Sequence, residues 1–151
     1  MNFRNIALNS NIVFRTLLFS DDTQYYCQKV KLPRISLEGQ KVGHSTGTLT
    51  LGGEVAKFDS ITLTLLVDEN LEVWKNFVNL INKYNKVSTN TGCGIEATSW
   101  LEIYDSKNKY LFKVEFYKSK LDEVSELEYS TTDNNIITLD ITLNFDYMKI
   151  I

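Results

Sequence analysis

Residues 136–147 read IITLDITLNFDY. Side chains on a strand alternate between faces. Ile137, Leu139, Ile141, Leu143, Phe145 and Tyr147 therefore share one face. Thr138, Asp140, Thr142, Asn144 and Asp146 share the other. At about 3.4 Å per residue such a strand spans roughly 40 Å, which is long. Its second face is small or acidic throughout, so it suits water and not a second apolar layer. A long, flat, half-wet strand without proline is an aggregation hazard if its edge stays bare. The pattern predicts a protomer whose sheet is finished by neighbours, and ring closure removes edges altogether.

Alternation recurs upstream. Residues 58–67 (FDSITLTLLV) put Ile61, Leu63, Leu65 and Val67 on one face and Thr62 and Thr64 on the other. Residues 12–19 and 25–32 read as two strands joined by a turn at Asp21, Asp22 and Thr23, the second ended by Pro33. Residues 98–104 and 110–117 read as a hairpin about 105–109, with Tyr110, Phe112, Val114 and Phe116 on one face. Residues 121–129 read as a further short strand, and 132–135 as a turn. The period changes only at 68–85, where Leu71, Trp74, Phe77, Val78, Ile81 and Tyr84 are spaced by three and four. That is one helix, with Asp68 as N-cap and Lys83 and Lys86 at its negative end.

The 37–53 stretch, LEGQKVGHSTGTLTLGG, holds five of the seven glycines. It reads as a long flexible connection or a splayed hairpin, and 87–94 as a polar loop. The whole of 1–151 reads as a single domain, mainly β with one helix, since this length buries a core without disulfide or metal.

Charge and composition narrow the function. The net charge is −3 and the pI about 5.2, with no basic cluster, which argues against a chain that grips DNA. Cys27 and Cys93 read as reduced thiols, with no secretory signal before them and no apolar run long enough to span a membrane. His44 has only Ser45 and Thr46 beside it, which suits an exposed loop histidine. The TGCG of 91–94 lacks the Lys-Ser/Thr and helix start of a phosphate loop. Asp68-Glu69 and Asp122-Glu123 are neighbours in sequence; two catalytic carboxylates need unlike environments across a cleft. The aromatics Tyr25, Tyr26, Trp100, Tyr104, Tyr110, Phe112, Phe116 and Tyr117 read as cross-strand core pairs, since no basic groove accompanies them. These readings point to a protein that is not an enzyme and uses no cofactor or metal.

The order of several strings resembles the tail-tube family of contractile-tailed bacteriophages, across about 12–147. They are Leu32-Pro33, a variable loop, Gly52-Gly53, Phe58-Asp59, Asp68-Glu69 opening a helix with Trp74, then Asn134-Asn135 and a long strand closing in Asp146-Tyr147. The resemblance implies a two-sheet β-sandwich or open barrel flanked by one helix. It implies hexameric rings stacked into a tube inside a contractile sheath, in the virion tail, assembled in the host cytoplasm. Its partners would be copies of itself, sheath, baseplate hub or initiator, and tail terminator, with DNA present only transiently in the lumen and no membrane.

Two expectations follow for particular residues. Thr62, Thr64, Thr138, Asp140, Thr142, Asn144 and Asp146 are candidates to face the lumen, where hydration and mild like-charge repulsion let a polyanion slide. Gln40, Lys41, Val42, Gly43, His44, Ser45 and Thr46 are candidates for an arm that touches the next subunit or ring. Only about eleven residues precede the first strand, fewer than many main tube proteins carry. The same core also serves a baseplate tube initiator or tail-completion protein, the alternative reading. A monomeric β-domain that binds a small ligand or carries a weak enzyme activity is a third, and it would show an apolar pocket with converging polar groups.

Overall fold

The computed structural model describes residues 11–19, 23–38, 41–44, 47–50, 55–87, 96–132 and 135–151. In chain order the elements are β1 (Ile12–Thr16), β2 (Thr23–Lys31), β3 (Ile35–Glu38), β4 (Lys41–His44), β5 (Gly47–Thr50), β6 (Val55–Phe58), β7 (Ile61–Leu66), α1 (Glu72–Val87), β8 (Ala97–Tyr104), β9 (Tyr110–Val124), β10 (Thr138–Asn144) and β11 (Tyr147–Ile150). The mainly β fold with one helix is as the patterning predicts.

Six strands run in the order β10-β7-β2-β1-β8-β9, all antiparallel, and β9 returns to pair with β10. The barrel is thus closed by its own chain. β9 is long enough to take two partners on one edge: β10 along Lys120 to Val124, and β11 along Val114 to Tyr117. The backbone of Lys118 lies at φ 51°, between those two stretches. There the inward phase shifts from Val114 and Phe116 to Ser119. That shift is why the sequence pattern splits β9 into a strand at 110–117 and another at 121–129.

The 136–147 stretch divides likewise. β10 stays in the barrel against β7, the chain turns at Phe145 and Asp146, and β11 continues along β9. The Asp146 amide donates to the Tyr117 carbonyl at 3.0 Å. The 58–67 strand breaks at Asp59 and Ser60, where the Asp59 amide donates to the Arg34 carbonyl at 3.0 Å. β6 thereby belongs to an arm and β7 to the barrel. The arm is two nested antiparallel pairs, β3 with β6 and β4 with β5. Of the two readings of 37–53, flexible connection or splayed hairpin, the paired strands favour the hairpin.

The barrel interior is the core. Ile61, Leu63 and Leu65 meet Leu143, Ile141 and Leu139 in register, and none of the six has any exposure. At about 1.5–3 kcal/mol per enclosed aliphatic side chain, this pair of strands contributes on the order of 10 kcal/mol before chain entropy is counted. The core also holds a relay of buried hydroxyls. Thr16 and Ser99 lie 2.9 Å apart, Ser99 and Ser119 2.6 Å, and Ser119 donates to the Ala97 carbonyl at 2.5 Å. The relay satisfies every hydroxyl that the barrel encloses there.

The helix begins at Glu72, later than its pattern implies. Asp68 still serves its start, its Oδ1 accepting from the Glu72 amide at 2.9 Å. Val73, Phe77 and Leu80 are the fully buried positions, with Tyr84 half-buried, and Trp74 and Ile81 are each 37% exposed. At about 100° per residue the apolar arc is wider than the barrel covers, so the packed stripe is rotated from the one drawn through Trp74, Val78 and Ile81.

Candidate functional site

The candidate lumen residues fall on the outer wall of the barrel, opposite the core side of the same strands. Register places Thr64 beside Asp140 and Thr62 beside Thr142. The Thr64 hydroxyl donates to Asp140 Oδ1 at 2.6 Å. Asp140 is also held from its other side, with its amide donating to Ser125 Oγ at 3.1 Å and its carbonyl accepting from the Ser125 amide at 2.8 Å. Thr138 lies beside Leu66, and Asn144 beside Lys120. Asp146 is not in this row. It occupies the turn after β10, with its carboxylate 4.0 Å from Lys118 Nζ.

Two residues on this wall, Lys29 and Lys31, are not among the lumen candidates that the sequence pattern offers. β2 pairs with β7 so that Lys29 stands beside Thr64 and Lys31 beside Thr62. An irregularity between Cys27 and Lys29 resets the phase, carrying both lysines to the outside while Val30 meets Leu63. Each row across the wall therefore runs from a lysine through threonines to an acid: Lys31, Thr62, Thr142, Glu123, and Lys29, Thr64, Asp140. The wall is polarised and not uniformly repulsive to a polyanion.

The wall formed by β1, β8 and β9 has another character. Arg15 Nη1 donates to Glu102 Oε1 at 2.9 Å, Tyr104 donates to Glu102 Oε2 at 2.8 Å, and the Arg15 guanidinium sits 6.0 Å from the Trp100 ring centroid. Burial pushes the Glu102 carboxyl up, but the hydrogen bonds from Arg15 and Tyr104 and the Arg15 charge outweigh it and hold it below the usual carboxylate range. Tyr104 and Tyr110 meet edge to face, and Tyr117 and Tyr147 stack at 4.3 Å. Of the aromatics read as core pairs, Tyr25 and Phe116 are buried, whereas Tyr26 is 71% exposed and Tyr110 46%.

Of the candidate arm, Lys41, Val42, Gly43 and His44 form β4; Gln40, Ser45, Thr46 and likewise Cys93 lie outside the described residues. At the arm's root Phe58 packs on Phe145, which packs on Phe116 of the core, with centroids 5.8 and 4.9 Å apart. Further out, Ile35 and Leu37 share one face of β3 and are 52% and 67% exposed. Cys27 is buried and free, its thiol pushed up to about 12 by desolvation. Among the described residues no group of His, Cys, Asp and Glu is placed to hold a metal ion, and no helix is long and apolar enough to cross a membrane.

No protein-family model matches the chain, and no curated protein matches it. Solved structures do. A chain in the anti-feeding prophage baseplate superposes with a TM-score of 0.70 over 99% of this chain and 97% of that chain, at 10% identity. A chain in the sheath/tube terminator of the extracellular contractile injection system PVC gives 0.68 over 99% and 98%, at 15% identity. Hcp1 from Flavobacterium johnsoniae gives 0.58 over 93% and 94%, at 8% identity. The fold is that of contractile-injection tube-type proteins, as the phage tail-tube resemblance implies.

Proposed function

From this fold as premise, we propose that the chain is a structural subunit of the tube of a contractile tail, built as stacked rings whose lumen conducts DNA. The supporting observation is the Thr-rich outer wall of β7 and β10, where Thr62, Thr64, Asp140 and Thr142 form a polar surface on strands whose other faces are the core. Short hydroxyls offer a moving polyanion weak, interchangeable hydrogen bonds and no aromatic stacking platform. Among the described residues, one groove on this side is polar, lined by Ser125, Glu126, Glu128, Thr138 and Asp140. A small-molecule site would instead be an apolar cavity with a few convergent polar groups.

The test is a tail assembled with Asp140→Lys and Thr142→Lys. Ejection should slow or stall while tail length stays normal. Unchanged ejection from fully assembled mutant tails would remove this wall from the lumen. A second reading, a baseplate initiator or terminal ring on the same fold, is favoured by the likeness to chains in baseplate and terminator assemblies. An initiator or terminal ring would form single rings that need a partner and would not elongate alone.

A further inference from the structure

Charge is segregated along this chain in a way that ring formation by itself does not require. Residues 121–148 carry seven acids and no Lys or Arg. Residues 23–36 carry Lys29, Lys31 and Arg34 and no acid. The barrel places these segments on opposite flanks of one wall, β2 on one side of β7 and β10 with the end of β9 on the other. Lys29 and Asp140 are two strands apart, about 10 Å, beyond ion-pair reach. Among the described residues, Lys29, Lys31, Arg34, Glu123, Glu126 and Glu128 are exposed and have no ion-pair partner within the chain. Both flanks carry grooves: Lys31 and Arg34 line one together with Asp59, and Glu126 and Glu128 line the other.

We infer that the partner of each flank is a second copy of this chain, with the Lys29–Lys31–Arg34 flank of one protomer against the Glu123–Glu126–Glu128 flank of the next. This deepens the ring reading and rests on it. A two-fold contact through either flank alone would set that flank against itself, like charge on like charge. A head-to-tail contact sets opposite charges together at every junction, and repeated around an axis it closes a ring. It also neutralises the lysines beside the Thr wall at the junctions, leaving the wall mainly hydroxyl with Asp140 as its acid.

The experiment uses two full-length variants, K29E/K31E/R34E and E123K/E126K/E128K. The first carries acid on both flanks and the second base on both. Alone, each should remain folded by circular dichroism yet need on the order of 10–100-fold higher concentration to assemble. Mixed in equal amounts they should co-assemble, with the two variants alternating one to one, a pattern that closes only for an even number of subunits. Wild-type rings should weaken with added salt as the contacts are screened. If the wild type assembles and both variants assemble equally well alone, or the mixture stays unassembled while each variant is folded, the charge pairing is wrong and the ring reading survives. If the wild type itself stays monomeric at high concentration, the ring reading falls and the pairing falls with it.

Discussion

Glu102 is where a single side chain has the most testable consequence. Its carboxylate is largely enclosed on the barrel wall and held by Arg15 and Tyr104. A carboxyl whose folded pKa is depressed stabilises the fold above its unfolded pKa and loses that contribution as pH falls through the folded value. Thermal stability should therefore fall on the acid side below about pH 4.5, the ordinary value for this group. Glu102→Gln should destabilise the protein by about 1.5 kcal/mol at neutral pH and flatten that acid limb. An unchanged limb would mean that the network is not formed in solution. The hydroxyl relay of Thr16, Ser99 and Ser119 was not legible in the sequence. No local pattern marks a small polar residue as buried, because its burial is decided by strands far apart in the chain.

At the scale of elements, the strands were legible where a period of two runs unbroken, as at 61–66 and 138–144. The errors cluster at backbone irregularities. Lys118 has no sequence signature for positive φ, so β9 reads as two strands, and the phase slip after Cys27 hides the fact that Lys29 and Lys31 share a face with the threonines. The helix stripe misled for the opposite reason: its apolar arc is wider than one surface can bury. The arm was legible as an unusually long connection or a splayed hairpin, but not as two nested strand pairs, since its glycines suggest flexibility when local composition is read alone. Ile35 and Leu37 expose an apolar face on a two-stranded ribbon, which is marginally stable without further cover. Replacing residues 38–55 by a short Gly-Ser linker should leave the barrel folded, with a melting temperature within a few degrees of wild type, while abolishing stacking of rings. If tubes still form, the arm has no part in assembly.

At the scale of the whole molecule, the long half-wet strand raised the question of how its edge is protected. The answer is mostly internal. β9 pairs with β10 and closes the six-stranded barrel, so the barrel strands do not depend on neighbours for their edges. What the protomer leaves unfinished is different: the outer edge of β11, the apolar face of the arm, the exposed side of the helix at Trp74 and Ile81, and two flanks of opposite charge. Oligomerisation is thus argued from surfaces that lack a partner, and less from an open sheet. The candidate wall survives this change, because Thr62, Thr64, Asp140 and Thr142 are brought together by register alone. Asp146 leaves it, because the chain turns away before that residue.

Whether the chain forms rings is decided by electron microscopy of the purified, negatively stained protein across a range of concentrations. Annular particles should appear, stack as concentration rises, and disperse in high salt. A uniform population of single barrels at the highest concentration reached, in low salt, would contradict ring formation.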